Sequence, residues 1–322
     1  MSARPISRLR GPSISGPGSH GSVELCGVAL RGPVLNGSGT FDAIAARRAF
    51  GDALLERFPF DLFVSKTITL EPREGNPPPR LWETPAGLLN SIGLPNKGLD
   101  GFLATDLPQL AELPVPLCVS VMGFTHDELA ALAERVDARE EVSLIELNVS
   151  CPNVDTGLIM GADPEETARA VERLRPLCSK PLVVKLTPNA IAPSAVAAAA
   201  EGAGADAVSL VNTLKGMALH PRTRQPWLGG GGGGGLSGPA IRAVALEQVA
   251  AVAGSVSIPV IGMGGIASGG DAAEFMAAGA AVIAVGTESF RDPAAGRRIG
   301  AELTRGDTPL DVSVQTSRSL RT

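Results

Sequence analysis

The run Ser143-Leu-Ile-Glu-Leu-Asn148-Val-Ser-Cys-Pro-Asn153 is largely apolar in its first half, reaches an amide at Asn148 and passes at once into a polar loop. The same layout returns at Leu62-Phe-Val-Ser-Lys66, Leu182-Val-Val-Lys-Leu186 and Ala207-Val-Ser-Leu-Val-Asn212. Working outward, short β-rich runs lie at 33–36, 62–66, 116–121, 143–148, 182–186, 207–212, 258–262 and 281–286, eight in all. Stretches at helical period separate most of them, at 127–138, 163–177 (opened by Asp-Pro), 191–201, 239–253 and 270–278. Alternating βα units with continuous apolar strands predict a parallel sheet covered on both faces.

The polar residues decide between the two architectures of that kind. Lys66, Ser120, Asn148, Asn212 and Gly286 terminate their runs, and Lys185 sits one residue before an end. In a (β/α)8 TIM barrel all such ends meet on one rim, whereas a doubly wound sheet brings only a few to its switch point. The expectation is therefore an α/β chain forming one (β/α)8 barrel, with insertions at the C-terminal rim of the strands. Its bounds are read as 23–305, with a disordered leader at 1–22 and a tail at 306–322.

Composition narrows the chemistry. Of 322 residues, 44% are hydrophobic and 19% charged, which suits a sizeable core. A net charge of −5 leaves no footprint for nucleic acid, and no apolar run is long enough for a membrane span. With no Tyr, three His and four Cys, acid/base and metal-ligating groups are scarce. Cys26, Cys118, Cys151 and Cys178 form no CxxC pair, so no metal site is expected, and reduced thiols point to the cytoplasm. Residues 1–22 have no apolar segment of the kind a secretory signal needs. His20, His126 and His220 share no motif and read as surface or structural.

Two insertions stand out. Residues 67–100 contain Glu71-Pro-Arg-Glu-Gly-Asn-Pro-Pro-Pro-Arg80 and Asn90-Ser-Ile-Gly-Leu-Pro-Asn96, too polar and Pro-rich for a helix, and read as an ordered excursion across the barrel mouth. Residues 213–238 include seven consecutive glycines, 229–235, which fit either a solvated loop or a lid. Near the other end, Ile261-Gly-Met-Gly-Gly-Ile266 and Val285-Gly-Thr287 place glycines at the ends of the seventh and eighth runs, where backbone N–H groups can cradle a phosphate. Cys151, flanked by Asn148, Ser150 and Asn153, sits in a polar loop suited to a planar polar substrate, unlike the other three thiols. Lys66 and Lys185 lie in or at the end of apolar runs, where lysine is rare unless paired or functional. Asn90, Asn148, Asn153 and Asn212 offer donors and acceptors that match amide and imide edges.

Taken together from Leu25 to Phe290, Asn148-Val-Ser-Cys-Pro-Asn153, the Arg-Glu-Gly-Asn-Pro run, Asn212-Thr-Leu-Lys-Gly-Met217, Leu236-Ser-Gly-Pro-Ala240 and Gly262-Met-Gly-Gly265 resemble a class 1 dihydroorotate dehydrogenase, most closely the class 1B catalytic subunit. Cys at the base position is the class 1 form; the membrane-associated second class carries Ser there and an apolar N-terminal extension. The resemblance implies FMN-dependent oxidation of (S)-dihydroorotate to orotate in pyrimidine biosynthesis, with Cys151 removing the C5 proton while hydride leaves C6 for flavin N5. A free thiol is a weak base at pH 7 unless its pKa is lowered or proton loss is coupled to a closed loop, and both routes stay open.

The same resemblance implies a substrate site of Lys66, Asn90, Ser91, Ile92, Gly93, Leu94, Asn148, Asn153, Asn212 and Thr213. For FMN it implies Ser38, Lys66, Thr67, Asn148, Lys185, Val211, Gly238, Gly264, Gly265, Gly286 and Thr287. It further implies a homodimer, paired with a second subunit that carries FAD and an iron–sulfur cluster and links to NAD. Two features depart from the family pattern. Ser120 stands where Asn is usual, which shortens a polar contact to FMN, and the glycine tract replaces a more varied loop. Two other readings are a dihydropyrimidine dehydrogenase-like flavin oxidoreductase, which shares the Asn-x-Ser-Cys-Pro element, and a noncatalytic flavin-binding subunit. Retention of both lysines and Cys151 argues against the latter.

Overall fold

The computed structural model describes residues 23–149, 160–231 and 233–306. Eight strands form one parallel sheet: β1 Val34–Asn36, β2 Phe63–Val64, β3 Leu117–Val121, β4 Leu144–Asn148, β5 Leu182–Lys185, β6 Ala207–Leu210, β7 Val260–Met263 and β8 Val282–Val285. Each pairs with the next in the chain, β8 returns to β1, and a parallel bridge between Leu35 and Leu62 closes the ring. Asn36 reinforces that seam, its amide donating to the Val64 carbonyl at 2.8 Å while its oxygen accepts the Val64 N–H at 2.8 Å. The closed (β/α)8 barrel expected from the eight runs is what the chain forms, with strand bounds shifted by one or two residues.

Helices follow the strands where capping chemistry starts them. Thr125 accepts the Glu128 N–H and opens His126–Asp137. Asp163, followed by Pro164 at the first helical position, opens Pro164–Leu174. Ser268 and Asp271 form a reciprocal capping box for Gly269–Ala277. Pro176 ends the α-helical part of 163–177, and Arg175–Leu177 continue as a 3₁₀ turn.

Strand parity divides the core in two. Val119, Ile145, Leu147, Val184, Val208 and Ile283 face outward and pack under the helices, whereas Leu35, Cys118, Leu144, Val183, Ala207, Ile261 and Val282 fill the barrel. A hairpin, Val23–Leu25 with Val28–Leu30, inserts Leu25 and Leu30 into that interior cluster and closes the N-terminal end of the barrel. Its turn is made by Cys26 and Gly27, both at positive φ, with the Cys26 thiol against the carbonyl of Asp206 just before β6. Leu25 is 1% exposed; burying such a side chain contributes about 1.5–3 kcal/mol.

The opposite end carries the insertions. Residues 67–100 cross the mouth as an ordered excursion that carries one hairpin, Leu81–Thr84 with Gly87–Asn90, between stretches without regular secondary structure, and reach a short helix at Gly98–Gly101. Gly234–Ser237 pairs antiparallel with Gly87–Asn90 on one edge and with Leu214–Gly216 on the other, giving a four-stranded sheet over the C-terminal rim. Of the two readings of the glycine tract, a solvated loop does not describe its last two residues, Gly234 and Gly235, which open a central strand.

Candidate active site

In β3 to β6 the inward residues change character toward the rim. Cys118 gives way to Ser120, Leu144 to Glu146 and Asn148, Val183 to Lys185, and Ala207 to Ser209. All five upper residues are buried. Lys185, only 5% exposed, donates from Nζ to Ser38 Oγ at 2.8 Å and lies 3.9 Å from Glu146 Oε1. Glu146 also accepts from Ser120 Oγ at 2.8 Å and from Ser209 Oγ at 3.3 Å. Thr67 Oγ1 stands 2.9 Å from Ser120 Oγ and accepts from Asn148 Nδ2 at 3.4 Å. Ser120 therefore links Thr67 to Glu146. Sequence reading missed Glu146 and Ser209; their signal was the period-2 alternation that a continuous apolar run conceals.

Lys66 is two residues beyond β2 and solvent-accessible at the rim. Loss of surrounding water pushes its ammonium below the ordinary lysine pKa; Asp42 opposes the shift, Arg80 adds to it and Asp106 opposes it. Val211 is buried, its N–H bonded to the Met263 carbonyl at 2.8 Å. Asn212 anchors just beyond β5 through its N–H on the Leu186 carbonyl at 3.2 Å, and its side-chain oxygen accepts the Thr213 N–H at 2.8 Å. Asn189, another residue not foreseen, holds this segment by donating to the Thr213 carbonyl at 2.9 Å and accepting the Lys215 N–H at 3.0 Å.

The glycines beyond β7 and β8 come together with the end of the mouth sheet. Gly238, Gly264 and Gly265 all have positive φ. A Cβ at Gly265 would meet the Gly238 carbonyl at 2.7 Å, and one at Gly238 would lie 3.3 Å from Thr287 Cγ2. Thr287 Oγ1 donates to Ser237 Oγ at 2.8 Å. Gly286 lies opposite Gly37, whose Cβ would sit 3.8 Å from the Gly286 Cα. Backbone from three separate strand ends thus comes together in one small cradle, with no room for a Cβ at Gly238, Gly264 or Gly265.

The mouth sheet places the remaining predicted residues. Asn90 pairs with Gly235 and donates to its carbonyl at 3.1 Å. Asn76 donates to Ser91 Oγ at 2.9 Å and its N–H to the Ile92 carbonyl at 3.0 Å. Gly93 (φ +77°) and Leu94 (φ +54°) turn the chain tightly beside Asn76 and Asn96. Pro77, Ser91 and Thr213 pack directly onto Gly229, Gly230 and Gly235, so these glycines are demanded by close approach.

Cys151 and Asn153 lie outside the described residues, as do His20, the leader and residues 307–322. The other thiols keep structural settings: burial pushes Cys26 and Cys178 up to about 11 and Cys118 well above the usual thiol value. His220 stacks on Trp227, and His126 stands 3.6 Å from Glu166. Among the described residues no cluster of three His, Cys, Asp or Glu is placed to hold a metal, and no helix is long and apolar enough to cross a membrane. Two surface concavities, of about 300 and 220 Å³, lie between outer helices away from the strand ends.

Residues 21–306 match the family model described as dihydroorotate dehydrogenase. The "Dihydroorotate dehydrogenase B (NAD(+)), catalytic subunit" of Geotalea daltonii is 46% identical over 282 residues, covering 87% of this chain and 90% of that protein. Proteins of the same name from Geobacter metallireducens and Geobacter sulfurreducens are 46% and 44% identical over 283 and 288 residues, each covering 88% of this chain and 91% and 92% of their own lengths.

Proposed function

This chain belongs to the dihydroorotate dehydrogenase family, and on that premise we propose that its barrel mouth oxidises (S)-dihydroorotate to orotate for pyrimidine biosynthesis, as a class 1B-type enzyme using FMN. The observation that carries the reading is the convergence, at one rim, of a buried lysine with a glycine-lined cradle. The residues fit such a group: Gly238, Gly264, Gly265, Gly286 and Thr287 would receive the phosphate, where a Cβ at Gly265 would obstruct the Gly238 carbonyl. Ser38, Lys66, Thr67, Asn148, Lys185 and Val211 would surround the ring. When bound, FMN supplies the acceptor for the hydride leaving C6.

The protein's own contribution is positioning, charge and one proton transfer. Asn90, Ser91, Ile92, Gly93, Leu94, Asn148, Asn153, Asn212 and Thr213 would grip the planar substrate by its amide and imide edges, with Lys66 near its carboxylate. Cys151, three residues beyond the end of β4, would take the C5 proton. Lys185, already held by Ser38, would stand beside the flavin ring and supply positive charge there. We further infer a cytoplasmic homodimer, NAD+ as terminal acceptor through a partner subunit from the name of its relatives, and, from the family resemblance, FAD and an iron–sulfur cluster on that partner.

The test is anaerobic. The purified protein should show a flavin spectrum that bleaches with dihydroorotate and not with dihydrouracil. A protein without flavin would sink the reading, and bleaching by dihydrouracil alone would select a dihydropyrimidine dehydrogenase-like activity instead. NAD+ reduction measured with and without the partner, against fumarate and quinones, identifies the acceptor.

A further inference from the structure

Glu146 is a carboxylate in the upper layer of a barrel whose lower layer fills with apolar side chains. It is 3% exposed, and the inward residues one step below it are Cys118, Leu144, Val183 and Ala207. Packing does not require a charge there, and an apolar residue of similar volume would spare its desolvation. Three polar groups nevertheless converge on it, Ser120 Oγ at 2.8 Å, Ser209 Oγ at 3.3 Å and Lys185 Nζ at 3.9 Å. Upstream, Asn148 donates to Thr67, whose hydroxyl meets that of Ser120. Because Ser120 gives its proton to Glu146, the Thr67 hydroxyl is the donor in that contact. The direction Asn148 to Thr67 to Ser120 to Glu146 ends on a carboxyl oxygen of Glu146.

The separation from Lys185 is informative. At 3.9 Å the pair attracts without a hydrogen bond, so the ammonium spends a donor on Ser38 and keeps others for a ligand at the mouth. Charges in so dry a setting are felt at longer range than in water. We propose that Glu146 is a positioning residue for the flavin: acting through Lys185, it fixes the ammonium at the rim and offsets part of its positive charge, thereby lowering the reduction potential of the bound cofactor. This rests on the FMN reading above. A lysine left uncompensated would over-stabilise the reduced form and slow its onward oxidation; the carboxylate beneath it limits that bias while leaving the hydrogen-bond donors in place.

The experiment is a reductive titration of the flavin-loaded protein with dithionite against a reference dye, which needs no turnover with dihydroorotate. Glu146→Gln keeps shape and removes charge. It should shift the two-electron equilibrium at least tenfold toward reduced flavin, about 30 mV more positive. Glu146→Asp keeps the charge and should stay within about threefold of wild type. An E146Q equilibrium within threefold of wild type, a shift toward oxidised flavin, or equal shifts in both variants would overturn the proposal. So would loss of flavin from both variants with the circular dichroism of wild type retained, since Glu146 would then be structural. A wild-type protein that holds no flavin defeats the functional reading itself, whereas a wild-type flavoprotein with unshifted variants defeats this proposal alone.

Discussion

Gly235 packs directly against the side chain of Thr213, with no room between them for a methyl group. Thr213 follows β6 and Gly235 lies in the strand that pairs with Asn90, so the contact locks two predicted substrate-binding residues to one another.

Gly235→Ala should therefore disturb substrate and spare cofactor. We expect KM for dihydroorotate to rise about tenfold, the equivalent of roughly 1.4 kcal/mol, with the flavin-to-protein absorbance ratio unchanged. Gly265→Ala should do the reverse, since its φ of +80° and the Gly238 carbonyl at 2.7 Å from a Cβ put the obstruction in the proposed phosphate cradle. Flavin content would fall first. Identical effects from the two substitutions would break the assignment of two separate subsites.

The thiols give a second test. With values near 11, Cys26 and Cys178 are ionised to only about one part in a thousand at pH 8, and Cys118 less still. Iodoacetamide at that pH should label Cys151 before the other three, with activity lost in step and orotate slowing both. Peptide mapping decides it: labelling of a barrel or hairpin thiol ahead of inactivation would remove Cys151 from the proposed role. Cys151→Ala should retain FMN and slow its reduction by roughly a hundredfold, the contribution of a general base.

Asp61 sets a pH dependence of stability. Burial raises its pKa above the ordinary carboxylate value, against the opposing pull of the Val34 N–H at 3.0 Å and the charge of Arg31. The folded state thus holds this proton more tightly than the unfolded chain. Above the raised value folding carries the cost of a buried charge, and below the unfolded value of about 3.9 that cost is gone. Asp61→Asn keeps an acceptor for Val34 and should raise Tm by about 2 °C at pH 7.5. The gain should shrink toward zero as the pH falls to 4; a gain independent of pH would contradict the sign.

The barrel was legible because its signals are local. Lys66, Asn148, Lys185 and Asn212 each mark a strand end within their own run, and Asp163-Pro164 and the glycine pair at 264–265 announce a helix start and a turn. What escaped depends on neighbours distant in sequence. Glu146 reads as a blemish in an apolar run until Ser120, Lys185 and Ser209 are set around it on three other strands. The glycines at 229, 230 and 235 make sense only against Pro77, Ser91 and Thr213, the first two of them 152 and 139 positions earlier. The Val23–Leu30 hairpin was hidden by strands of three residues each, too short for alternation to register.

The mouth sheet also carries a consequence for how the molecule assembles. Barrel strands pair with their successors, so the ring can grow by steps of modest loop length. Asn90 and Gly235 are 145 residues apart, and bringing such segments together from an open chain costs more conformational freedom than pairing any barrel strand with its successor. Once the ring has closed, β2 and β6 deliver both segments to the same rim and most of that cost has already been met. We expect the proposed substrate-gripping surface to form late in folding, after ring closure.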